Sequence, residues 1–384
     1  MGSLQLPVAH LSEKTELIRA EVREFLTNEQ DKGTFEPRCD QWLNGYSPEL
    51  TKKLGEKGWI GMTWPKKYGG HERSALERYV LTEELLAAGA PVGAQWIADR
   101  QTGPLLLRYG TEEQRTEFLP KIAKGECYFA IGLSEPNAGS DLAAVRTKAV
   151  KTEGGWLLNG SKIWTSGAHH AHYMITLCRT SPLDPEKRHA GMSQLLVDLS
   201  APGVTIRPIY AMTGEHHFNE IIFEDVFIPE NRLVGEEGNG WKQSMTELAY
   251  ERSGPERILS TFPLLQELTY QIQQRGDAQL MTHVSMLVAR LWTLRQMSIG
   301  IAHMLEKGET PDIAAALVKD MGNKFEMQVA EITRLLIPTS PSVSAASRLD
   351  RLMAESILQA PGFTLRGGTT EVMRGIVAKG VIKK

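Results

Sequence analysis

In the segment LSEKTELIRAEVREFL, apolar residues fall at Leu11, Leu17, Ile18, Val22 and Phe25 with charges between them, close to the 3.6-residue helical period. SPELTKKLGEKGW predicts a further helix, opened by Ser47 as N-cap, with Pro48 at the first position where its missing N–H costs nothing. WPKKYGG (64–70) reads as a turn-rich connector. ALERYVLTEELLAAG and TEEQRTEFLPKIAKG follow as two more amphipathic helices, each closed by Gly. From Cys127 the runs shorten, Gly multiplies and alternation replaces the helical stripe. YFAIGL, AVRTKAVKTEGGWLLNGSKIWTS, HYMITLCR, SQLLVDL, VTIRPI and NEIIFEDVFI all read as strands, with a hairpin signal at Gly154-Gly155. From about Gly238 the helical period returns in longer pieces. These are residues 243–273, broken near Pro255, then 278–306, 310–337 and 344–359, with a last helix from about Thr369.

The pattern predicts an α+β multidomain chain. An N-terminal α-helical domain covers 1–126, and a small β-barrel or sandwich of six or seven strands covers 127–237. A C-terminal domain over 238–384 packs like a four-helix bundle.

Composition narrows the function classes. A hydrophobic content of 41% and a charged content of 23% fit a globular chain of 384 residues. A formal charge of −3 offers no electrostatic basis for binding nucleic acid or anionic lipid. No apolar run approaches the roughly 18 residues of a membrane span, and the first residues lack a basic segment followed by an apolar one. Leu6 stands where a myristoylation motif wants Ser or Thr. A cytoplasmic protein is therefore expected. Cys39, Cys127 and Cys178 are widely spaced and read as buried thiols.

The most specific chemistry lies in GLSEPNAGSD (132–141), where a strand runs into a turn rich in small and polar residues. Such a turn leaves backbone N–H groups and the hydroxyls of Ser134 and Ser140 able to grip a ligand. The segment resembles the acyl-CoA dehydrogenase signature, and NGSKIWTSG (159–167) is similar to that family's second flavin strand. NEIIFEDVFIPENRLVGEEGNGW (219–241), RGGTTEVMRGIVAKGV (366–381) and GTEEQRTEFLPKIAKGE (110–126) agree in order and spacing, so the resemblance spans nearly the whole chain. It implies the acyl-CoA dehydrogenase fold, an FAD cofactor, an acyl-CoA substrate in lipid and fatty acid metabolism, and electron delivery to an electron-transfer flavoprotein. It also implies an assembly of several chains: a homotetramer, a tetramer of unlike subunits, or a dimer. Leu133 and Ser134 would contact the flavin ring, Trp164 and Ser166 would close its other side, and Ser140 would lie near the pantetheine arm.

Desaturation needs a carboxylate poised to take the α-proton of the thioester. Many family members place it in a Tyr-Glu-Gly-Thr turn near the C-terminus, but the matching residues here are Arg366, Gly367, Gly368 and Thr369. The isovaleryl-CoA and long-chain branches carry Glu-Arg on the helix after the β domain. Glu251-Arg252 in TELAYERSGPERIL stands at that position, with Glu247 one turn earlier as the rival. Glu251 is therefore expected to be the base, with Arg252 near the CoA arm.

The family's Arg-x-x-Phe-Gly segment, which helps bind the flavin pyrophosphate, is replaced by QQRGDAQL (273–280). Arg275 partly replaces its arginine, and the Phe-Gly pair is gone. Arg100 and Arg366 are candidate anchors for a polar or carboxylated acyl tail, against the plainer reading that each pairs with a nearby acid such as Asp99. His170 and His172 would share a face of an alternating strand beside His169, but no acidic or Cys ligand lies close in sequence, so no metal is expected. Two other readings stay open: a flavin oxidase or monooxygenase of the same fold, and a non-catalytic partner subunit of a heteromeric enzyme.

Overall fold

Eight strands come from the middle of the chain: β1 Phe129–Gly132, β2 Lys148–Thr152, β3 Gly155–Lys162, β4 Tyr173–Arg179, β5 Met192–Asp198, β6 Val204–Tyr210, β7 His216–Pro229 and β8 Leu233–Val234. In the computed structural model they form one sheet in the order β6-β7-β3-β2-β4-β5-β8, with β1 parallel to β4. The structure describes residues 6–8, 10–250 and 253–382, and for residues 246–250 the backbone alone. The alternation seen in the sequence has its physical counterpart in β7, whose residues 217, 219, 221 and 223 are buried while their neighbours are not. β4 and β5 are buried almost throughout, which suits strands covered on both faces. Trp156, Leu158, Met174, Val197, Ile221 and Phe223 lie in the sheet's core.

The helices are α1 Glu13–Asp31, α2 Gln41–Asn44, α3 Pro48–Glu56, α4 Ala75–Ala87, α5 Gly93–Ile97, α6 Gly103–Tyr109, α7 Glu112–Ala123, α8 Gly240–Tyr250, α9 Phe262–Arg275, α10 Ala278–Glu306, α11 Asp312–Leu336, α12 Arg348–Phe363 and α13 Thr370–Ile382. Two compact units emerge. One gathers Met1–Gly45, Arg73–Pro91 and Ala249–Lys384, and the other gathers Tyr46–Glu72 and Val92–Leu248 with the sheet. Ser47 caps α3 by accepting from the Leu50 N–H, as its position before Pro48 implies. Within the helical unit, α1 is joined to α4 by Arg19, which pairs with Glu83 at 2.8 Å and with Glu84, while Arg295 of α10 also holds Glu83. No described helix is long and apolar enough to cross a membrane.

Several boundaries differ from the pattern. α12 begins at Arg348, because Ser347 rather than Ser344 accepts from a helix N–H, that of Asp350. The hairpin pivots on Glu153-Gly154, since Gly155 already pairs with Thr152. Leu17 is 67% exposed, and the buried stripe of α1 runs through Ile18, Val22 and Leu26 instead. Residues 93–109 form α5, a π-helical turn over Ala98–Thr102 and α6, where the pattern alone drew no helix. Residues 168–170 form a 3-10 turn, and β4 starts only at Tyr173, so His170 and His172 do not share a strand face.

Candidate functional site

Leu133 and Ser134 leave the end of β1 and are half-buried. The Ile163 N–H donates to the Ser134 carbonyl at 2.9 Å, which ties this turn to the residues just after β3. Below it, Ala138, Leu142, Val145, Leu177 and Met192 make a small apolar core against which Leu133 packs. Arg179 fastens the rest of the segment from beneath, donating to the carbonyls of Val145 at 3.0 Å and Ala143 at 2.7 Å. Ser140 is exposed at the far end of the turn, next to Asp141, which takes two bonds from Arg188.

Trp164 follows β3 with a left-handed backbone, φ 60°, and its indole is 57% exposed. A bulky residue held there costs about 1–3 kcal/mol, so the surrounding bonds must enforce it. They do: Ile163 is bonded to Ser134 on one side, and the Thr165 N–H and carbonyl exchange bonds with Asn219 on the other. Ser166 is half-buried beside it, and the buried Thr165 hydroxyl has no hydrogen-bond partner among the described residues. The turn at 133–134 and the Trp164–Ser166 bend are thus drawn together by the Ile163–Ser134 bond.

The histidines that follow form a stack of rings. His169 lies 3.7 Å from His216 and 3.9 Å from His170, and His170 lies 3.7 Å from Tyr46, all centroid to centroid. Burial, then the neighbouring imidazoles, push His169 down to about 4, so it is neutral at physiological pH. His172 accepts from the Tyr128 N–H through Nδ1. Among the described residues, no group of three or more His, Cys, Asp or Glu is gathered to hold a metal ion.

Arg100 lies in the π-helical turn with its guanidinium 4.6 Å from the Trp96 ring centre, and Asp99 accepts from the Gly61 N–H. In the helical unit, Arg275 ends α9 and is exposed. Arg366 is held by Asp40 through two bonds of 2.6 and 2.7 Å, donates to the Ser260 hydroxyl, and lies 4.6 Å from the Trp42 ring centre. Arg257 faces the same indole at 5.2 Å. Glu251 and Arg252 lie outside the described residues, and so does the side chain of Glu247. At Gly367, φ is +66°, and an added Cβ would come within 2.7 Å of Arg257 Nη2. Lys319 donates to the carbonyl of Gly368. The turn that lacks a carboxylate is therefore set among cations.

Glu326 lies at the bottom of this network, accepting from the Ser260 N–H at 2.8 Å and 3.9 Å from Arg366. Burial pushes its carboxyl up to about 7 against the pull of Arg366. An unfolded Glu titrates near about 4.3, so the native chain favours the protonated acid. This contribution to stability is complete below about pH 4.3 and is lost as pH rises towards 7. Glu326→Gln is expected to flatten that loss and to raise stability at pH 8 by up to about 3 kcal/mol. Denaturant unfolding at pH 5 and pH 8 checks this; an unchanged pH slope would place the titration elsewhere.

Known proteins agree with this geometry. Residues 12–126 match the acyl-CoA dehydrogenase N-terminal domain, and residues 130–226 match the middle domain. Acyl-CoA dehydrogenase FadE26 of Mycobacterium tuberculosis is 31% identical over 94% of this chain and 95% of its own length. The chain belongs to the acyl-CoA dehydrogenase family. Among solved structures, the Tcur3481-Tcur3483 steroid ACAD has a TM-score of 0.87 at 30% identity, covering all of this chain and 99% of that one. The ChsE4-ChsE5 complex from Mycobacterium tuberculosis has a TM-score of 0.83 at 28% identity, covering 98% and 99%. This acyl-CoA dehydrogenase is accordingly an oxidoreductase acting on acyl-CoA, and FAD is its cofactor. The β unit fits such a group: a flat exposed indole on an enforced left-handed bend lies beside a half-buried turn and an unpartnered buried hydroxyl. Sequence reasoning missed Arg257 beside Gly367 and the buried pair Lys162–Glu135, because each depends on partners far along the chain.

Proposed function

We propose that this acyl-CoA dehydrogenase desaturates an acyl-CoA thioester to its trans-2-enoyl-CoA, with Glu251 as the base and an electron-transfer flavoprotein as the electron acceptor. The observation that carries the reading is Gly367. The C-terminal turn offers no side chain that can take a proton, and Arg257 crowds the place where one would begin. Glu251-Arg252, at the position the isovaleryl-CoA and long-chain branches use, is then the best source of the carboxylate. Glu251 takes the α-proton, and bound FAD supplies the acceptor for the β-hydride. Leu133, Ser134, Trp164 and Ser166 would hold the flavin ring, Ser140 and Arg252 the CoA arm, and Arg275 the flavin pyrophosphate. Val288 and Trp292, exposed apolar side chains one turn apart on α10, support assembly with further chains, like or unlike. The likeness to a steroid ACAD makes steroid-derived thioesters a substrate class to set beside straight-chain and carboxylated ones.

The purified chain is expected to be yellow, with about one FAD per chain, and to reduce a dye with members of an acyl-CoA panel. Released-flavin absorbance and dye reduction check both. A flavin content below about a tenth per chain would favour the partner-subunit reading. Rapid oxygen consumption without an added acceptor would favour an oxidase.

A further inference from the structure

Lys162 is the last residue of β3, and its side chain is completely buried. Its ammonium donates to the Leu133 carbonyl at 3.1 Å and to Glu135 Oε1 at 2.8 Å. Glu135 in turn accepts from the backbone N–H groups of Arg146 at 2.7 Å and Thr147 at 2.9 Å. The aliphatic stem of Lys162 passes across Gly132, where an added Cβ would sit 3.1 Å from Lys162 Cγ and 2.8 Å from Met174 Cε. A side chain at the end of β1 would press on both the lysine stem and Met174. A buried ion pair is costly to assemble, and stability alone is a weak reason to keep one. This pair joins β3 to a segment of the sheet unit that is expected to touch flavin.

The geometry of the peptide unit gives it a task. In a trans peptide the carbonyl and the following N–H point in opposite directions. With the Leu133 carbonyl drawn inward to Lys162, the Ser134 N–H must point outward. The Ser134 carbonyl is drawn inward as well, by the Ile163 N–H at 2.9 Å. We propose that Lys162 is a positioning residue for the flavin: by holding the Leu133 carbonyl it aims the Ser134 N–H at the flavin ring as a preorganised donor. Glu135 completes the device by neutralising the ammonium and fastening it to residues 146–147. The inference rests on the flavin site proposed above. Burial lowers the Lys162 pKa and Glu135 opposes that shift, while Glu135 is held below the usual carboxylate range by Lys162 and its two backbone donors once burial is overcome.

A donor aimed at the ring favours the reduced, anionic flavin over the oxidised, neutral one, because hydrogen bonds to charged groups are the stronger. The test uses the full chain, with its sister chain if one is needed to retain flavin, and reads FAD affinity and midpoint potential. Lys162→Met/Glu135→Gln removes both charges and leaves an amide oxygen for one of the two N–H groups of residues 146 and 147. It is expected to bind FAD about tenfold more weakly. Its potential should fall by about 30 mV, the two-electron equivalent of tenfold tighter preference for the reduced form. Glu135→Gln alone keeps the lysine donor on Leu133 and should hold FAD within about threefold of wild type. A folded double variant with wild-type affinity and potential overturns the inference. So does a Glu135→Gln variant that binds FAD about tenfold more weakly than wild type, and this arm stands even if the double variant does not fold. A wild-type chain that holds no FAD in any assembly overturns the flavin site itself, and the inference with it.

Discussion

Replacing Glu251 by Gln is expected to slow substrate-driven flavin reduction by about 10²–10⁴-fold, while FAD content and thermal stability stay near wild type. The substitution keeps size and much of the hydrogen bonding and removes only the proton acceptor. Anaerobic stopped-flow reduction at the flavin band measures it directly. A rate above about a tenth of wild type would put the base elsewhere, with Glu247 the nearest candidate in sequence. Adding Gly367→Glu asks whether the vacant C-terminal position can restore the carboxylate. The structure lowers that expectation: φ is +66°, and Arg257 Nη2 lies 2.7 Å from where the new Cβ would be. A carboxylate held against that guanidinium would be a weaker base, and the backbone would resist any side chain at all. Little recovery is therefore expected, and the single variant decides the assignment.

Arg366→Leu is expected to destabilise the chain by about 3–5 kcal/mol, because it would leave Asp40 buried without its cation. Asp40 and Arg366 are 326 residues apart, so the pair ties the start of the chain to its end within the helical unit. Arg366 also sits against Trp42 and Phe363 and reaches the Ser260 hydroxyl, so its packing is lost together with its charge. Equilibrium unfolding in urea reads the effect. If Arg366 anchored an acyl carboxylate instead, stability would change little and KM would rise about tenfold or more for carboxylated acyl-CoAs alone. Arg100→Leu is a second probe of such an anchor. Its guanidinium lies 4.6 Å from the Trp96 ring centre in a π-helical turn, a type of irregularity that often marks functional sites.

The long amphipathic helices were legible in the sequence, because an apolar stripe must face a neighbour at the helical period. α10 begins and ends where that stripe does, at Ala278 and Glu306. The strands were legible for the matching reason: β7 buries every second residue over half its length. The small and polar make-up of residues 132–141 and 159–167 could be read from their order, and the absence of a carboxylate at Gly367 from one letter. Residues 93–109 could not, because a short helix broken by a π-turn has no sustained period to detect. Nor could the placement of charge. No local rule says that Arg366 meets Asp40 across the length of the chain, that Lys162 is buried under the Leu133 carbonyl, or that Arg257 fills the space beside Gly367. The left-handed bend at Trp164 belongs to the same class, since an aromatic residue disfavours it and only bonds to Ser134 and Asn219 on either side enforce it. Sequence determines which segments are helix or strand and which carry polar chemistry, because those follow from neighbours within a few residues. Tertiary structure alone decided which carbonyl turns inward, which ion finds its partner and which vacancy is filled, because burial makes each unpaired polar group costly and only the folded chain can supply the missing partner.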